Sequence, residues 1–247
     1  MARLQAIGII PARYGSTRLP GKPLALIAGQ PLVWHVVERA RAAKRLSRVV
    51  VATDDERILD AVRRRGGEAV ITSPDHLSGT DRVAEAARGC DDDLILNVQG
   101  DEPLLQADAL DRLVALFDDD PELPLATLRR PAEAAEMGNA NVVKVVCDAH
   151  GRALYFSRAG IPHRRGDAAA GRWAHVGVYA YRREALFAFA ALPPSPLERE
   201  EGLEQLRAIE AGWRIQVEAA TGTFLGVDTP EDLERARQIL ERPQQAN

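Results

Sequence analysis

Apolar and polar positions along this chain fall into blocks that alternate between strand and helix spacing. Ala6 to Ile10 is a short continuous apolar run, the length of one buried strand. From Pro31 to Ala43 the apolar residues Leu32, Val33, Val36, Val37 and Ala40 follow the i, i+3, i+4 spacing of an amphipathic helix, with Pro31 suited to its first turn. Val49 to Thr53 predicts a second strand, and the helix after it runs through Arg65 to a stop at Gly66-Gly67. Ala69-Val70-Ile71 and Leu94 to Val98 are further strands. Strands and helices alternating at this distance build βαβ units, and therefore a parallel sheet flanked by helices.

The pattern changes from Asn139 onward. Val142 to Cys147, the turn Asp148 to Gly151, and Ala153 to Ser157 predict a β-hairpin, followed by a strand over Val176 to Tyr181. Residues 162–172 are rich in Arg, Gly and Ala without periodicity, and predict a mobile loop with solvated arginines. Ser195-Pro196-Leu197-Glu198 is a capping box that starts a helix to about Ala211. Gly202 then falls inside that helix, where glycine costs roughly 1 kcal/mol relative to alanine and nothing local repays it. Thr229-Pro230 opens a terminal helix. The expected architecture is one α/β domain over residues 1–247, with an antiparallel sub-region at roughly 140–215.

At 247 residues and 46% hydrophobic content, the chain can bury a full core. A net charge of -4 supplies no global field for nucleic acid, so any functional cations must act locally. The two cysteines, Cys90 and Cys147, have neither metal-ligand nor disulfide-framework spacing. With no secretory pattern and no membrane-length apolar run, the expectation is a soluble cytoplasmic protein with neither nucleic acid nor membrane as partner.

The candidate chemistry sits where ligands of parallel sheets bind, beyond the carboxyl ends of the strands. The first such loop, Pro11 to Leu24, places Arg13, Arg18 and Lys22 among glycines and prolines. Glycine lets backbone amides approach a ligand and proline stiffens a loop crowded with like charge, an arrangement suited to a polyphosphate. The loop has neither P-loop nor dinucleotide-fold spacing. A second loop, Ser73 to Arg82, offers Ser78 and Thr80 as caps for the next helix. In a third, Gln99-Gly100-Asp101-Glu102-Pro103, a carboxylate at the tip of a buried strand needs a partner, and Mg²⁺ beside a triphosphate supplies one. Either Asp101 or Glu102 could be that ligand. Asp228, just ahead of the terminal helix, is free to reach a metal as well. His35 reads as a packing residue, and no Ser-His or Cys-His arrangement suggests a protein nucleophile.

The blocks P-A-R-x-x-S-x-R-L-P-G-K, H-x-S-G-T-[DE]-R, V-Q-G-D-E-P and Leu203 to Arg207 resemble the sugar-acid cytidylyltransferases of the sugar nucleotidyltransferase superfamily. The resemblance implies a Rossmann-like, mostly parallel sheet of the nucleotide-diphospho-sugar transferase type, with an antiparallel region for acceptor binding and homodimerisation. It implies CTP and a sugar acid as substrates, 3-deoxy-manno-octulosonate (Kdo) foremost and amino-Kdo or sialic acid as alternatives, with a non-catalytic nucleotide-binding protein as the reading from another class. Lipopolysaccharide biosynthesis is the implied setting. It selects Asp101 over Glu102, so that Asp101 and Asp228 hold Mg²⁺ and, with Lys22, form the catalytic set. Ala12, Arg13, Arg18, Lys22, Ser78, Gly79 and Gln99 are implied for the nucleotide. Gln99, Arg158, His175, Tyr179, Glu204 and Gln205 are implied for the sugar, the fork of Arg158 suiting its carboxylate.

Overall fold

The computed structural model describes residues 4–16, 18–163, 165 and 171–241, so Thr17 and most of the loop expected at 162–172 lie outside the described residues. The chain divides into two compact units, residues 1–111 with 222–247, and residues 112–221.

In the first unit, β1 (Ala6–Ala12) is followed by the Lys22–Leu24 turn, the two-residue strands β2 (Leu26–Ile27) and β3 (Gln30–Pro31), and α1 (Leu32–Arg41). Next come β4 (Leu46–Thr53), α2 (Glu56–Arg63), β5 (Glu68–Ile71), α3 (Gly79–Ala87) and β6 (Leu94–Asn97). β1 pairs in parallel with both β4 and β6, and β4 with β5, so this sheet runs β6-β1-β4-β5. Every residue of β6 is buried, as the unbroken apolar run requires of an inner parallel strand. Pro31 stands at the N-cap of α1, one position before the first turn, and His35 contacts the Ile27 carbonyl at 2.8 Å as a packing residue. The terminal helix Pro230–Leu240 returns to this unit, where Ile27, Leu32, Val227, Leu233 and Ala236 close a small core.

α4 (Ala107–Asp119) begins in the first unit and ends in the second. There β7 (Leu125–Pro131) precedes the hairpin β8 (Lys144–Cys147) and β9 (Ala153–Ser157), which pairs antiparallel as expected. β10 (Trp173–Arg182) pairs antiparallel with β7 and β8. Three helices follow, α5 (Arg183–Ala191), α6 (Pro196–Glu201) and α7 (Leu206–Glu210), and then β11 (Ile215–Ala219), parallel to β7.

One expectation is corrected here. The helix from Ser195 does not continue to Ala211; it ends at Glu201, and Gly202 is its left-handed cap with φ 61° and ψ 42°. The residue that looked costly inside a helix occupies the one backbone region where it has the advantage over every side-chain-bearing residue. The capping box itself is present, with Glu198 N donating to Ser195 Oγ and Ser195 N to Glu198 Oε2. Among the described residues, no helix is long and apolar enough to cross a membrane.

Candidate active site

A cavity of about 290 Å³ opens in the first unit at the carboxyl ends of β1 and β6. Every residue expected at the nucleotide lines it: Ala12, Arg13, Arg18, Lys22, Ser78, Gly79 and Gln99, together with Asp101 and Asp228. Gly100 is needed where it stands, because a Cβ there would sit 2.8 Å from the Pro11 carbonyl oxygen.

On the cavity wall, Lys22 Nζ donates to Asp101 Oδ2 at 2.7 Å and to Asp228 Oδ1 at 3.0 Å. Arg18 Nη2 lies 3.0 Å from Asp228 Oδ2, so both oxygens of that carboxylate face a cation. The backbone sets this up. Val227 N donates to Asp101 O at 2.9 Å, which draws the segment before the last helix alongside the β6 loop, and Val227 is buried in the small core. Thr229 takes the N-cap with Asp232 in a reciprocal box, which leaves the Asp228 side chain to the cavity. Gly21, left-handed at φ 69°, turns the basic loop into the Lys22–Leu24 turn.

Electrostatics follow from this geometry. Burial works to lower the Lys22 pKa, but the charges and hydrogen bonds of Asp101 and Asp228 outweigh it and raise the value above the ordinary lysine range. Burial works to raise Asp228, and the Lys22 hydrogen bond and charge, with Arg18, more than reverse it and hold the carboxyl below its ordinary value. Two carboxylates therefore converge on one cation. That is the donor set a hard divalent ion takes from a protein when phosphate oxygens and water fill its remaining positions. Asp101, not Glu102, makes the contact with Lys22.

Ser78 caps α3, its hydroxyl accepting from Asp81 N at 3.1 Å. Thr80 is instead tied to the buried Asn97, whose Nδ2 donates to it at 3.3 Å. The wall also carries Arg82, a residue the sequence reading quoted without a role. Its guanidinium donates to Thr72 Oγ1 at 2.5 Å and to Asp54 Oδ2 at 2.8 Å, fastening α3 to the end of β4.

In the second unit, His175 and Tyr179 come together on β10, with ring centroids 5.4 Å apart. Four residues of regular strand would separate them by roughly 13 Å. The register of β10 on β7 shifts between Val176 and Tyr179, so the strand bulges between the two residues. Buried Thr127 fills the bulge: its hydroxyl donates to Val178 O at 2.8 Å and accepts from His175 Nε2 at 2.9 Å. Burial pushes the His175 pKa down to about 3, so the ring is neutral at pH 7. Burial, with the nearby Glu204 carboxylate, drives the Tyr179 phenol upward. Gln205 is buried at the start of α7. Arg158 is heavily engaged: Nε donates to Glu201 O at 2.7 Å, Nη1 to Ala140 O at 3.0 Å and Nη2 to Gly202 O at 3.3 Å. Arg207, noted only as part of a sequence block, forms a two-toothed pair with Glu198 at 2.8 and 2.6 Å.

A cytidylyltransferase family model matches residues 7–215. The chain belongs to the cytidylyltransferase family. A 3-deoxy-manno-octulosonate cytidylyltransferase from Anaeromyxobacter sp. (strain Fw109-5) is 54% identical over 235 residues, covering 94% of this chain and 95% of that one. The protein of that name from Anaeromyxobacter dehalogenans (strain 2CP-C) is 53% identical over 236 residues, covering 94% and 96%. Among solved structures, a CMP:2-keto-3-deoxy-manno-octonic acid synthetase complexed with CTP superposes with a TM-score of 0.91 at 47% identity, covering 96% of this chain and 99% of that one. Of the features in this cytidylyltransferase that sequence reasoning missed, Arg82 carried a signal, being an arginine inside a motif. Thr127 carried none, since one threonine in a strand is unexceptional.

Proposed function

We propose that the chain transfers the cytidylyl group of CTP to Kdo, giving CMP-Kdo and pyrophosphate for lipopolysaccharide biosynthesis. The observation that carries this reading is the Lys22–Asp101–Asp228 constellation in a cavity rimmed by further cations. Relatives of that name, matching nearly end to end, support it.

The anomeric hydroxyl oxygen of the sugar forms a bond to the α-phosphorus. The bond from that phosphorus to the bridging oxygen breaks, pyrophosphate leaves with the electron pair, and the hydroxyl proton passes to solvent. No side-chain nucleophile is required, so the protein contributes position and charge. A divalent cation, Mg²⁺ in this reading, held by Asp101 and Asp228, would withdraw charge from the α-phosphate and acidify the hydroxyl. Lys22, Arg13 and Arg18 balance the triphosphate and the departing pyrophosphate. Backbone amides at the start of α3, beside Ser78 and Gly79, add donors for anionic oxygen. The sugar acid is assigned to Gln99, Arg158, His175, Tyr179, Glu204 and Gln205.

The deciding experiment measures pyrophosphate release with CTP, UTP, GTP and dTTP, each crossed against Kdo, amino-Kdo and sialic acid, with and without chelator. Turnover is expected with CTP, Kdo and Mg²⁺ together. Comparable rates with GTP or dTTP, or undiminished rates in chelator, overturn the reading. The same reading expects a cytoplasmic homodimer, with a light-scattering mass twice that of one chain.

A further inference from the structure

Tyr14 belongs to the basic loop but does not line the cavity, and neither do Asp55 and Arg57. These three residues nevertheless form one stack. The Arg57 guanidinium carbon lies 3.4 Å from the centroid of the Tyr14 ring. Arg57 is itself fixed by Asp55, with Nε to Oδ1 at 2.9 Å and Nη2 to Oδ2 at 2.6 Å. Asp55 in turn caps α2 by accepting from Arg57 N at 2.9 Å. The tyrosine ring also packs against the turn that carries Lys22. A Cβ added to Gly21 would meet Tyr14 Cζ and Oη at 3.2 Å, so the ring covers the side of Gly21 on which a side chain would stand. The Tyr14 carbonyl closes the loop at both ends, accepting from Ser16 N at 2.9 Å and from Gly21 N at 3.1 Å.

We propose that Tyr14 is a positioning residue for nucleotidyl transfer, with the Asp55–Arg57 pair as its backstop, and that it acts by holding Gly21 so that the Lys22 ammonium stays on Asp101 and Asp228. The proposal rests on the functional reading above for its catalytic consequence, though not for its geometry. A loop with three like charges tends to splay apart, and a displacement of about 1 Å at a charge-stabilising group costs on the order of a hundredfold in rate. A ring clamped between a guanidinium and a glycine resists that displacement without placing a further group in the cavity.

The lysine content makes a direct test possible, because the chain has only three lysines, Lys22, Lys44 and Lys144. Lys44 is exposed and Lys144 is buried, so they serve as the fast reference and the folding control. Amine acylation near pH 8, resolved by peptide mass spectrometry, reads the Lys22-to-Lys44 ratio with no need for catalysis. The ratio should be low in the wild type and in Tyr14→Phe, and several-fold higher in Tyr14→Leu and Arg57→Ala while Lys144 stays protected. If Tyr14→Leu misfolds, Arg57→Ala, at the exposed end of the stack, carries the test. An unchanged ratio in Arg57→Ala and Tyr14→Leu overturns the proposal. So does a Tyr14→Phe ratio as high as that of Tyr14→Leu, which would assign the effect to the hydroxyl. In turnover, Tyr14→Leu should lower kcat/KM for CTP by about tenfold to a hundredfold. The same change in a Lys22→Met background should add little; full additivity there also overturns it. Absence of CTP–Kdo turnover in the wild type would instead overturn the functional reading and leave the labelling result standing.

Discussion

Two of the three lysines in this chain are withdrawn from solvent, one in each unit, and they are satisfied in opposite ways. Lys22 faces two carboxylates, and the ion pairs raise its pKa against the effect of burial. Lys144 faces three backbone carbonyls, those of Asn139 at 2.9 Å, Val142 at 2.6 Å and Arg158 at 2.5 Å, and burial lowers its pKa, helped by the Arg158 charge. The arginines divide along the same line. Arg18 pairs with Asp228 at an open rim, with 56% of its side chain accessible, whereas Arg158 is spent on the carbonyls of Ala140, Glu201 and Gly202. A cation held by carboxylates can be exchanged: a metal ion can take the carboxylates and a phosphate can take the ammonium. A cation held by carbonyls has no such exchange, because a lost backbone contact leaves a polar group unpaired. The first arrangement suits a site that must take up and release charge, and the second a frame that must not move.

The largest effects should fall on the exchangeable side. Asp101→Asn and Asp228→Asn are each expected to lower kcat by about 10²–10³-fold, the scale of losing one preorganised contact to transition-state charge. Melting temperature should stay within a few degrees, since both side chains are partly exposed at a cavity wall. Either variant retaining near-full activity at saturating Mg²⁺ would remove that residue from the metal site.

A matched pair of substitutions sets the two lysines against each other. Lys22→Met should reduce kcat more than it raises the KM for CTP, because charge on the departing pyrophosphate develops in the transition state. Lys144→Met should do the reverse, leaving kcat per folded molecule intact while lowering the melting temperature by several degrees, as three carbonyls lose their donor. A Lys144→Met enzyme that melts normally but turns over poorly would dissolve the contrast. Arg158→Lys sharpens it further. Lysine cannot reproduce either the carbonyl contacts or a two-toothed carboxylate contact, so both the KM for Kdo and the melting temperature should respond, with the KM for CTP nearly unchanged. Loss of stability alone would make Arg158 part of the frame only.

How far the sequence carried depended on whether a feature is local. The tip of β6, the basic loop and the Ser195 capping box are short-range patterns, and the structure holds them where the local sequence put them. The meeting of Lys22 with Asp101 and Asp228 spans 79 and 206 residues and depends on the Val227–Asp101 backbone bond, which no local pattern encodes. β7 and β11 also went unread, although Leu125 to Leu128 is fully buried. The bulge at Val176 is a register effect, visible only once β7 supplies Thr127 as the partner. The break at Gly202 was misjudged because a good capping box and helical spacing beyond it argued for continuity.

His175 gives a smaller, pH-dependent test on the frame side. Its pKa falls from an ordinary 6.5 to about 3 on folding, so between those values the unfolded chain binds more protons than the native one. The stability it contributes is therefore complete above about pH 6.5 and is lost as pH falls toward 3. Asp228, Glu198 and Glu201, whose carboxyls are held below their ordinary values, act with the same sign at lower pH. The window from about pH 6.5 down to 4.5 lies above the middle of those carboxyls' range, so the comparison of variant with wild type there reads the histidine's share. His175→Gln should flatten the fall in melting temperature across that window. A fall that His175→Gln leaves unchanged would mean that the ring is not desolvated.

The smallest predicted effect is the most local, and it concerns the glycine that the sequence left unexplained. Gly202 turns the chain left-handed after α6, which presents the Glu201 and Gly202 carbonyls to Arg158. The nearest atom to an added Cβ would be Arg158 Nε at 4.0 Å, ordinary contact distance, so alanine fits in space. The cost of Gly202→Ala is then conformational, about 1 kcal/mol for holding a side-chain-bearing residue left-handed. In a chain of this size that lowers the melting temperature by about 2–4 °C. Gly202→Asn, which adopts this region more readily, should lose less. Because the carbonyls still point at Arg158 in both variants, the KM for Kdo should barely move. A large rise in that KM at an unchanged melting temperature would show that the turn serves the acceptor directly, and the line drawn here between frame and site would have to pass through Gly202.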